Sequence, residues 1–187
     1  MWRKQSLFFA FLILILLNLP TAVYAASNNT AKNFVLTDTV GKKHVLSQYK
    51  GKWVIVNYWA TWCPPCLEEV PDLVALYDSR KNKDVMLLGV VFDFESAKEV
   101  AEYVDDMLMS YPIVLGDDDV MKQIGSAEVL PTTFIYNPNG ELVKTKRGKV
   151  TKQYLEALIA NQTKVTSETK ITGETKITSK AKKSEPK

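Results

Sequence analysis

The two cysteines of this 187-residue chain lie three residues apart, in the segment Trp62-Cys63-Pro64-Pro65-Cys66. The residues just before it, 53–60, are apolar, aromatic and β-branched, which predicts a strand covered on both faces. The residues just after it, 67–77, repeat apolar side chains at helical spacing, which predicts a helix. A strand that leads directly into a helix forms a βα unit, so the chain is expected to adopt an α/β fold.

The position of the first cysteine predicts its chemistry. Cys63 is expected at or just before the helix N-terminus, where unpaired N–H groups and the helix dipole stabilise a thiolate. Cys66, one turn later, is close enough to form a disulfide with it. A purely structural disulfide is disfavoured, because a loop of two residues gains little by constraining the unfolded chain. The pair therefore predicts thiol–disulfide exchange.

The rest of the middle of the chain predicts alternating strands and helices. A β-hairpin is expected around Gly41, and Ser96 with Glu99 forms a capping box that opens a helix. Further strands are expected at 85–92, 112–115, 132–136 and 141–147, and further helices at 117–124 and 151–160. These elements predict a central mixed sheet with helices on both faces and an N-terminal β-hairpin.

The N-terminus predicts export. Arg3 and Lys4 precede an unbroken apolar run over 7–17, and small residues follow. This pattern predicts a secretory signal over residues 1–25, with an uncleaved membrane tether through residues 7–26 as the alternative. The domain is therefore expected in the periplasm or at the extracytoplasmic face of a bacterial membrane.

The remaining chain divides into a leader, a domain and a tail. Residues 26–32 form a polar leader, and residues 33–160 carry the predicted elements. Residues 161–187 contain three lysine- and threonine-rich hexads. One apolar residue in six cannot build a core, so this tail is expected to be disordered.

Charge and composition exclude some functions. The net charge of +3 comes from the two ends, because residues 26–160 carry 15 basic and 18 acidic side chains. A mildly acidic domain gives no prediction of nucleic-acid binding. A zinc site is not expected, because the CxxC motif occurs once and His44 is the only histidine. No metal, cofactor or chemistry at His44 is predicted.

Two blocks of sequence carry a family resemblance. The first runs from Tyr49-Lys50-Gly51-Lys52 through residues 56–66 to Glu68-Glu69-Val70-Pro71, and the second is residues 130–135, followed by Asn139-Gly140. Over residues 33–160 the chain resembles the TlpA/ResA-like branch of the thioredoxin superfamily, which includes the cytochrome c maturation thioredoxins. The resemblance implies a thioredoxin-like fold with a central βα insertion.

The resemblance also implies roles for individual residues. Cys63 would be the exposed nucleophile, and Cys66 the buried resolving thiol. Pro131 would be a cis-proline that presents the backbone of Leu130 to an extended substrate. The substrate is further expected to contact Trp62, which should be partly exposed beside the disulfide, and the two prolines between the cysteines, Pro64 and Pro65.

One departure from ordinary thioredoxins affects proton transfer. Asn57 stands where those proteins carry a buried aspartate, and an amide cannot titrate. The resemblance instead implies a glutamate after the next strand, which Glu95 matches. A carboxyl in partly apolar surroundings could exchange protons near neutral pH, although Glu95 could also only stabilise the following helix. Glu68 and Glu69 are expected to stabilise the first turn of the cysteine helix, with recognition of a partner as the alternative, because they flank the reactive face.

Three functions remain open. The resemblance favours an exported protein-disulfide reductase, a monomer supplied by a membrane-bound thiol donor. Its substrates would be protein thiols and disulfides, for example in apocytochrome c or an oxidase copper site. A disulfide oxidase or isomerase is the alternative. A thiol peroxidase or a copper-delivery module is less favoured, because Ala60 occupies the position of a peroxidase Thr/Ser and no further copper ligand is evident.

Overall fold

The computed structural model describes residues 33–163. They form a five-stranded sheet of strand order β5-β4-β3-β6-β7 and a separate two-stranded hairpin, β1-β2. The strands are β1 Val35–Thr37, β2 Lys43–Val45, β3 Trp53–Trp59, β4 Val85–Val91, β5 Ile113–Leu115, β6 Thr132–Tyr136 and β7 Leu142–Arg147. The helices are α1 Pro64–Arg80, α2 Ala97–Asp106, α3 Asp118–Ile124 and α4 over 152–163, with a 3-10 turn at Leu46–Tyr49.

The sheet is mixed, as predicted. β3 pairs in parallel with β4 and antiparallel with β6, while β4 pairs in parallel with β5 and β6 antiparallel with β7. Every residue of β3 and β4 is buried, which explains why both read as continuous apolar runs. The helix predicted to open at Ser96 is also present, and Ser96 Oγ accepts a hydrogen bond from the Glu99 N–H. The predicted capping box is only half formed, because the Glu99 carboxylate accepts the N–H of Glu95.

Two apolar cores lie on the two faces of the sheet. Alternate residues of β3 divide between them, with Ile55 and Trp59 in one core and Val56 and Tyr58 in the other. The first core includes side chains of α1, α2 and α4. The second includes side chains of the hairpin segment and α3. Helices therefore cover both faces, and β3 delivers the cysteine segment from the middle of the sheet.

A buried polar chain holds the hairpin segment in shape. The two ring nitrogens of His44 lie 2.8 Å from Asp38 Oδ2 and 2.6 Å from the Tyr49 hydroxyl. Asp38 Oδ1 also accepts hydrogen bonds from the backbone N–H groups of Val40 and Lys42. Since His44 is fully buried and bonded on both sides, its polar atoms are satisfied within the hairpin, and its role there is structural.

Gly89 on β4, which pairs with Asn57 on β3, permits close packing of the side chains around it. A Cβ atom at this position would lie 2.8 Å from Ile113 Cδ1 and 2.9 Å from Tyr111 Cε2. We expect Gly89→Ala to lower the free energy of unfolding by about 1–3 kcal/mol, because these buried side chains have no free space into which to shift. Urea denaturation measures this change, and an unaltered midpoint would contradict the packing described for β4.

Some predictions lie outside the described residues. The signal, the tether, the polar leader and most of the tail fall within 1–32 and 164–187. The described end of α4 is residue 163 rather than 160, so the first three residues of the predicted disordered tail are helical. Within 33–163, no helix is both long enough and apolar enough to span a bilayer.

Candidate active site

The two cysteines form a disulfide at the start of α1. Cys63 is the N-cap residue, Pro64 and Pro65 open the first turn, and Cys66 follows. The Cys63 carbonyl accepts hydrogen bonds from the N–H groups of Cys66 and Leu67. Proline suits the first positions of a helix because its fixed φ is helical and no N–H is needed there. The pair thus lies at the positive end of the helix dipole, where a thiolate is stabilised.

The exposure of Cys63 differs from the expectation. The resemblance implied an exposed nucleophile, but Cys63 is only 3% exposed and Cys66 only 1%. Both side chains belong to the apolar cluster that contains Ala60 and Val70. The expectation of exposure is therefore wrong for this disulfide state, because the bond to Cys66 holds the Cys63 sulfur within that cluster.

Exposed residues surround the buried disulfide. Trp62 is 59% exposed, and Pro64 and Pro65 are exposed as well. The Trp62 indole N–H donates to the carbonyl of Asp93 at 3.2 Å. Asp93 itself has a φ of +54°, a left-handed conformation that Asp tolerates better than most residues. The structure thus places the three predicted contact residues at the surface beside the disulfide.

The second predicted element is also present. The peptide bond between Leu130 and Pro131 is cis, and it immediately precedes β6, the neighbour of β3. The half-buried Leu130 side chain packs against the cluster that contains both cysteines. The predicted cis-proline is therefore present, directly before the strand that pairs with β3.

A buried carboxylate lies on the same helix as the cysteines. Glu69 is fully buried and follows Cys66 by three residues, which places the two side chains on one face of α1. Asn57 Nδ2 donates to Glu69 Oε1 at 2.7 Å, and the Val150 N–H donates to Oε2 at 2.8 Å. Asn57 Nδ2 also lies 3.2 Å from Thr133 Oγ1. The central strand therefore anchors this carboxylate.

The environment of Glu69 changes its acidity. Burial raises its pKa from the ordinary value of 4.5 to about 7, because desolvation disfavours the charged form. The hydrogen bonds from Val150 and Asn57, together with the charges of Lys146 and Lys149, act in the opposite direction. Desolvation is the larger effect. A carboxyl with this pKa can both accept and release a proton near neutral pH.

Glu69, rather than Glu95, has the surroundings expected of the proton-transfer group. The Glu95 side chain is exposed, so the partly apolar environment predicted for it is wrong. Its backbone N–H donates to the Glu99 carboxylate at 2.9 Å. The expectation that Glu68 and Glu69 stabilise the first turn of α1 is wrong, because neither residue lies in that turn. The spacing of three residues from Cys66 was the available signal for Glu69.

The arrangement supports two-electron exchange between sulfur atoms. Among residues 33–163, no group of three or more His, Cys, Asp or Glu side chains could hold a metal ion. The site contains a disulfide, a buried carboxyl three residues after Cys66 and a cis-proline directly before β6. These are the components required to pass a disulfide between two polypeptides.

Comparisons with known proteins agree with this chemistry. The AhpC/TSA family model matches residues 27–145. The chain is 37% identical over 131 residues to the thiol-disulfide oxidoreductase ResA of Geobacillus kaustophilus, covering 70% of this chain and 75% of that protein.

Solved structures agree with the fold. Bacillus subtilis StoA is 28% identical with a TM-score of 0.59, covering 68% of this chain and 96% of that one. The pneumococcal exposed lipoprotein thioredoxin of Streptococcus pneumoniae is 26% identical with a TM-score of 0.59, covering 69% and 98%. The chain belongs to the AhpC/TSA family of the thioredoxin superfamily and is a ResA-type thiol-disulfide oxidoreductase.

Proposed function

We propose that this oxidoreductase is an exported reductase of specific protein disulfides. The observation that carries the proposal is the buried pair of Cys66 and Glu69 on one face of α1. That pair supplies the proton acceptor needed to release a reduced substrate. The absence of a histidine between the cysteines is also compatible with a reductase, because no imidazolium is present there to stabilise the thiolate of a strong oxidant.

The reaction begins with the reduced protein. The Cys63 thiolate attacks one sulfur of the substrate disulfide, and the other substrate sulfur leaves as a thiolate and takes a proton. The product is a mixed disulfide between Cys63 and the substrate. Cys66 then attacks the Cys63 sulfur, so the second substrate thiolate leaves and the Cys63–Cys66 disulfide forms. Two electrons have moved to the substrate, and a thiol donor must return two electrons to the protein.

Glu69 acts in the second step. The Cys66 thiol is buried and must lose its proton before it can attack. The Glu69 carboxylate accepts that proton, and its later release accompanies reduction of the disulfide by the donor. Asn57 holds the carboxylate in place at 2.7 Å, so the asparagine that replaces the usual aspartate becomes a positioning residue.

The choice of substrate and compartment rests on other observations. The resemblance to cytochrome c maturation thioredoxins supports apocytochrome c or an oxidase copper-site protein as the substrate. The apolar N-terminal segment supports export or a membrane tether, and one structural neighbour is described as an exposed lipoprotein. Disulfides persist outside the cytosol, so a reductase there requires a membrane-bound thiol donor.

Replacing Glu69 with glutamine should slow the resolving step. We expect Glu69→Gln to reduce the rate of substrate release from the mixed disulfide by about a hundredfold near pH 7, because a positioned base contributes at least that much. The remaining rate should rise steadily with pH and no longer depend on a group that titrates near 7. Rapid-quench analysis of the mixed disulfide measures this rate.

Glu68→Gln is the matched control, because the neighbouring side chain is exposed. This control should keep the wild-type rate and pH profile. Equal pH profiles for Glu69→Gln and the wild-type protein would contradict the role assigned to Glu69.

Substrate trapping tests the proposed function in the cell. Cys66→Ala leaves Cys63 able to attack but removes the resolving thiol, so substrates should remain bound as mixed disulfides. We expect capture of one or two exported haem- or copper-binding proteins, identified by mass spectrometry. The double variant Cys63→Ala, Cys66→Ala should capture none of them. Capture of many unrelated exported proteins would indicate a general oxidase instead.

A further inference from the structure

Three basic residues lie within four positions of one another at the end of β7. Lys146 and Arg147 are the last residues of the strand, and Lys149 follows after Gly148. We call Lys146, Arg147 and Lys149 the basic rim. Arg147 and Lys149 are exposed, and Lys146 is half-buried.

The basic rim borders the active site. The Gly148 N–H donates to the carbonyl of the cis-proline, Pro131, at 2.8 Å. The Val150 N–H, one residue beyond the rim, donates to Glu69 at 2.8 Å. In the β6–β7 register, Arg147 pairs with Thr132, the residue after Pro131. A polypeptide that pairs beside the cis-proline therefore passes close to these cations.

The positive charge of the rim is available to a partner. In the described part of the chain, Lys146 and Arg147 form no ion pair, and the Lys146 ammonium donates only to the Arg147 carbonyl, at 2.7 Å. Lys149 pairs with Glu68 at 2.7 Å, but both side chains are largely exposed, at 45% and 61%. A pair this exposed is weak and can be exchanged for another partner.

The opposite side of the disulfide has the opposite charge. There the loop that accepts the Trp62 indole carries Asp93 and Glu95, both exposed. Neither carboxylate forms an ion pair with a described residue. Unpaired carboxylates thus lie beside Trp62, and the unpaired cations Lys146 and Arg147 lie beside Pro131, on the strand side of β6. Charges of opposite sign on the two sides of a site orient a charged partner as well as attracting it.

We propose that the basic rim binds acidic side chains next to the target disulfide of the substrate protein, and so helps to select the substrate. The proposal rests on the proposed reductase function and names the charge of its substrates. An extended acidic segment fits because Gly148, which lies between Arg147 and Lys149 of the rim, donates a hydrogen bond to the carbonyl of Pro131. An anionic lipid surface bound at the same place would instead cover the disulfide and hinder substrate access.

Binding at the rim would also act on the proton acceptor. The charges of Lys146 and Lys149 lower the pKa of Glu69. Substrate carboxylates placed beside them would offset that effect and increase the proton affinity of Glu69. The carboxylate would then accept the Cys66 proton more readily while a substrate is bound. Recognition and proton transfer would thereby be coupled through the same two lysines.

Single-turnover reduction of two synthetic peptides tests the proposal. Each peptide contains one internal disulfide, and they differ only in Asp and Glu residues beside the cysteines, which the second replaces with Asn and Gln. The readout is the ratio of the rates at which the reduced full-length protein reduces the acidic and the neutral peptide. We expect a ratio of about ten at low ionic strength that falls toward one at high ionic strength.

Two variants separate the rim from general charge effects. Lys146→Gln with Arg147→Gln should bring the ratio close to one at low ionic strength. Lys144→Gln is the matched control, because Lys144 lies on the same strand but pairs with Ile135, farther from Pro131. This control should retain the wild-type ratio.

Each alternative outcome is informative. An unchanged ratio in the double variant would overturn the docking proposal while leaving the reductase function intact. If that variant instead lost binding to phosphatidylglycerol vesicles with its peptide ratio unchanged, the rim would be a lipid site and the proposal would be wrong. Failure of the wild-type protein to reduce either peptide would contradict the proposed function itself, and the docking proposal with it.

Discussion

Cys63→Ser is expected to reduce thiol–disulfide exchange to the rate of the reaction without protein. A hydroxyl remains protonated at neutral pH and is a poor nucleophile toward sulfur, so the first step cannot occur. The helix N-terminus that stabilises a thiolate at residue 63 would have no thiolate to stabilise. Reduction of a disulfide peptide by the pre-reduced protein, followed by chromatography, measures the loss.

Cys66→Ser provides the matched comparison, because it makes the same atomic change three residues later. It should retain the first step and accumulate a mixed disulfide on Cys63, but release substrate very slowly. If Cys63→Ser accumulated the mixed disulfide and Cys66→Ser did not, the two roles would be reversed.

Glu69→Gln is expected to change how protein stability depends on pH. The folded protein holds the Glu69 proton up to about pH 7, whereas the unfolded chain releases it above its ordinary value of 4.5. Between these pH values the folded state binds more protons, so the free energy of unfolding falls as pH rises. Each pH unit in this range lowers the free energy of unfolding by about 1.4 kcal/mol, so the total decrease is about 3 kcal/mol. The decrease begins above pH 4.5 and is complete above pH 7.

The glutamine variant would carry no such cost, because an amide does not titrate. Any hydrogen bond lost through the substitution lowers stability equally at every pH. The stability of the variant relative to the wild-type protein should therefore increase by about 3 kcal/mol between pH 4 and pH 8, measured by urea denaturation. Glu68→Gln should show little change over this range. A stability difference that does not vary with pH would contradict the buried carboxylate.

Local patterns were sufficient to predict most of the fold. The strand before Cys63 and the helix after it follow from apolar runs and helical spacing, because both elements are covered by the cores on the two faces of the sheet. The helix that opens at Ser96 follows from a capping box, which depends on residues three positions apart. The cis bond before Pro131 was implied by a family resemblance rather than by these rules.

The proton acceptor required information that a local pattern does not contain. Glu69 is buried because Asn57, 12 positions earlier, and the backbone of Val150, 81 positions later, converge on its carboxylate. By helical propensity alone, Glu69 is equivalent to the exposed Glu68. Only the packing of α1 against the sheet and the loop after β7 distinguishes the two.

The solvent exposure of the Glu95 and Cys63 side chains was equally hard to predict from the sequence. Glu95 occupies a loop whose polar residues face solvent, and its distance along the chain from β4 does not reveal this. Cys63 is buried by its bond to Cys66 and by the surrounding apolar cluster. The basic rim was also not anticipated, because its significance depends on the hydrogen bond between Gly148 and Pro131.

The reduction potential of the Cys63–Cys66 disulfide tests the central claim most directly. Equilibration of the protein with dithiothreitol or glutathione buffers, followed by thiol alkylation, measures the oxidised fraction at each ratio. A protein-disulfide reductase is expected to have a potential near that of thioredoxin, about −270 mV. A value near −120 mV, roughly that of a strong disulfide oxidant, would contradict the proposed direction of electron transfer.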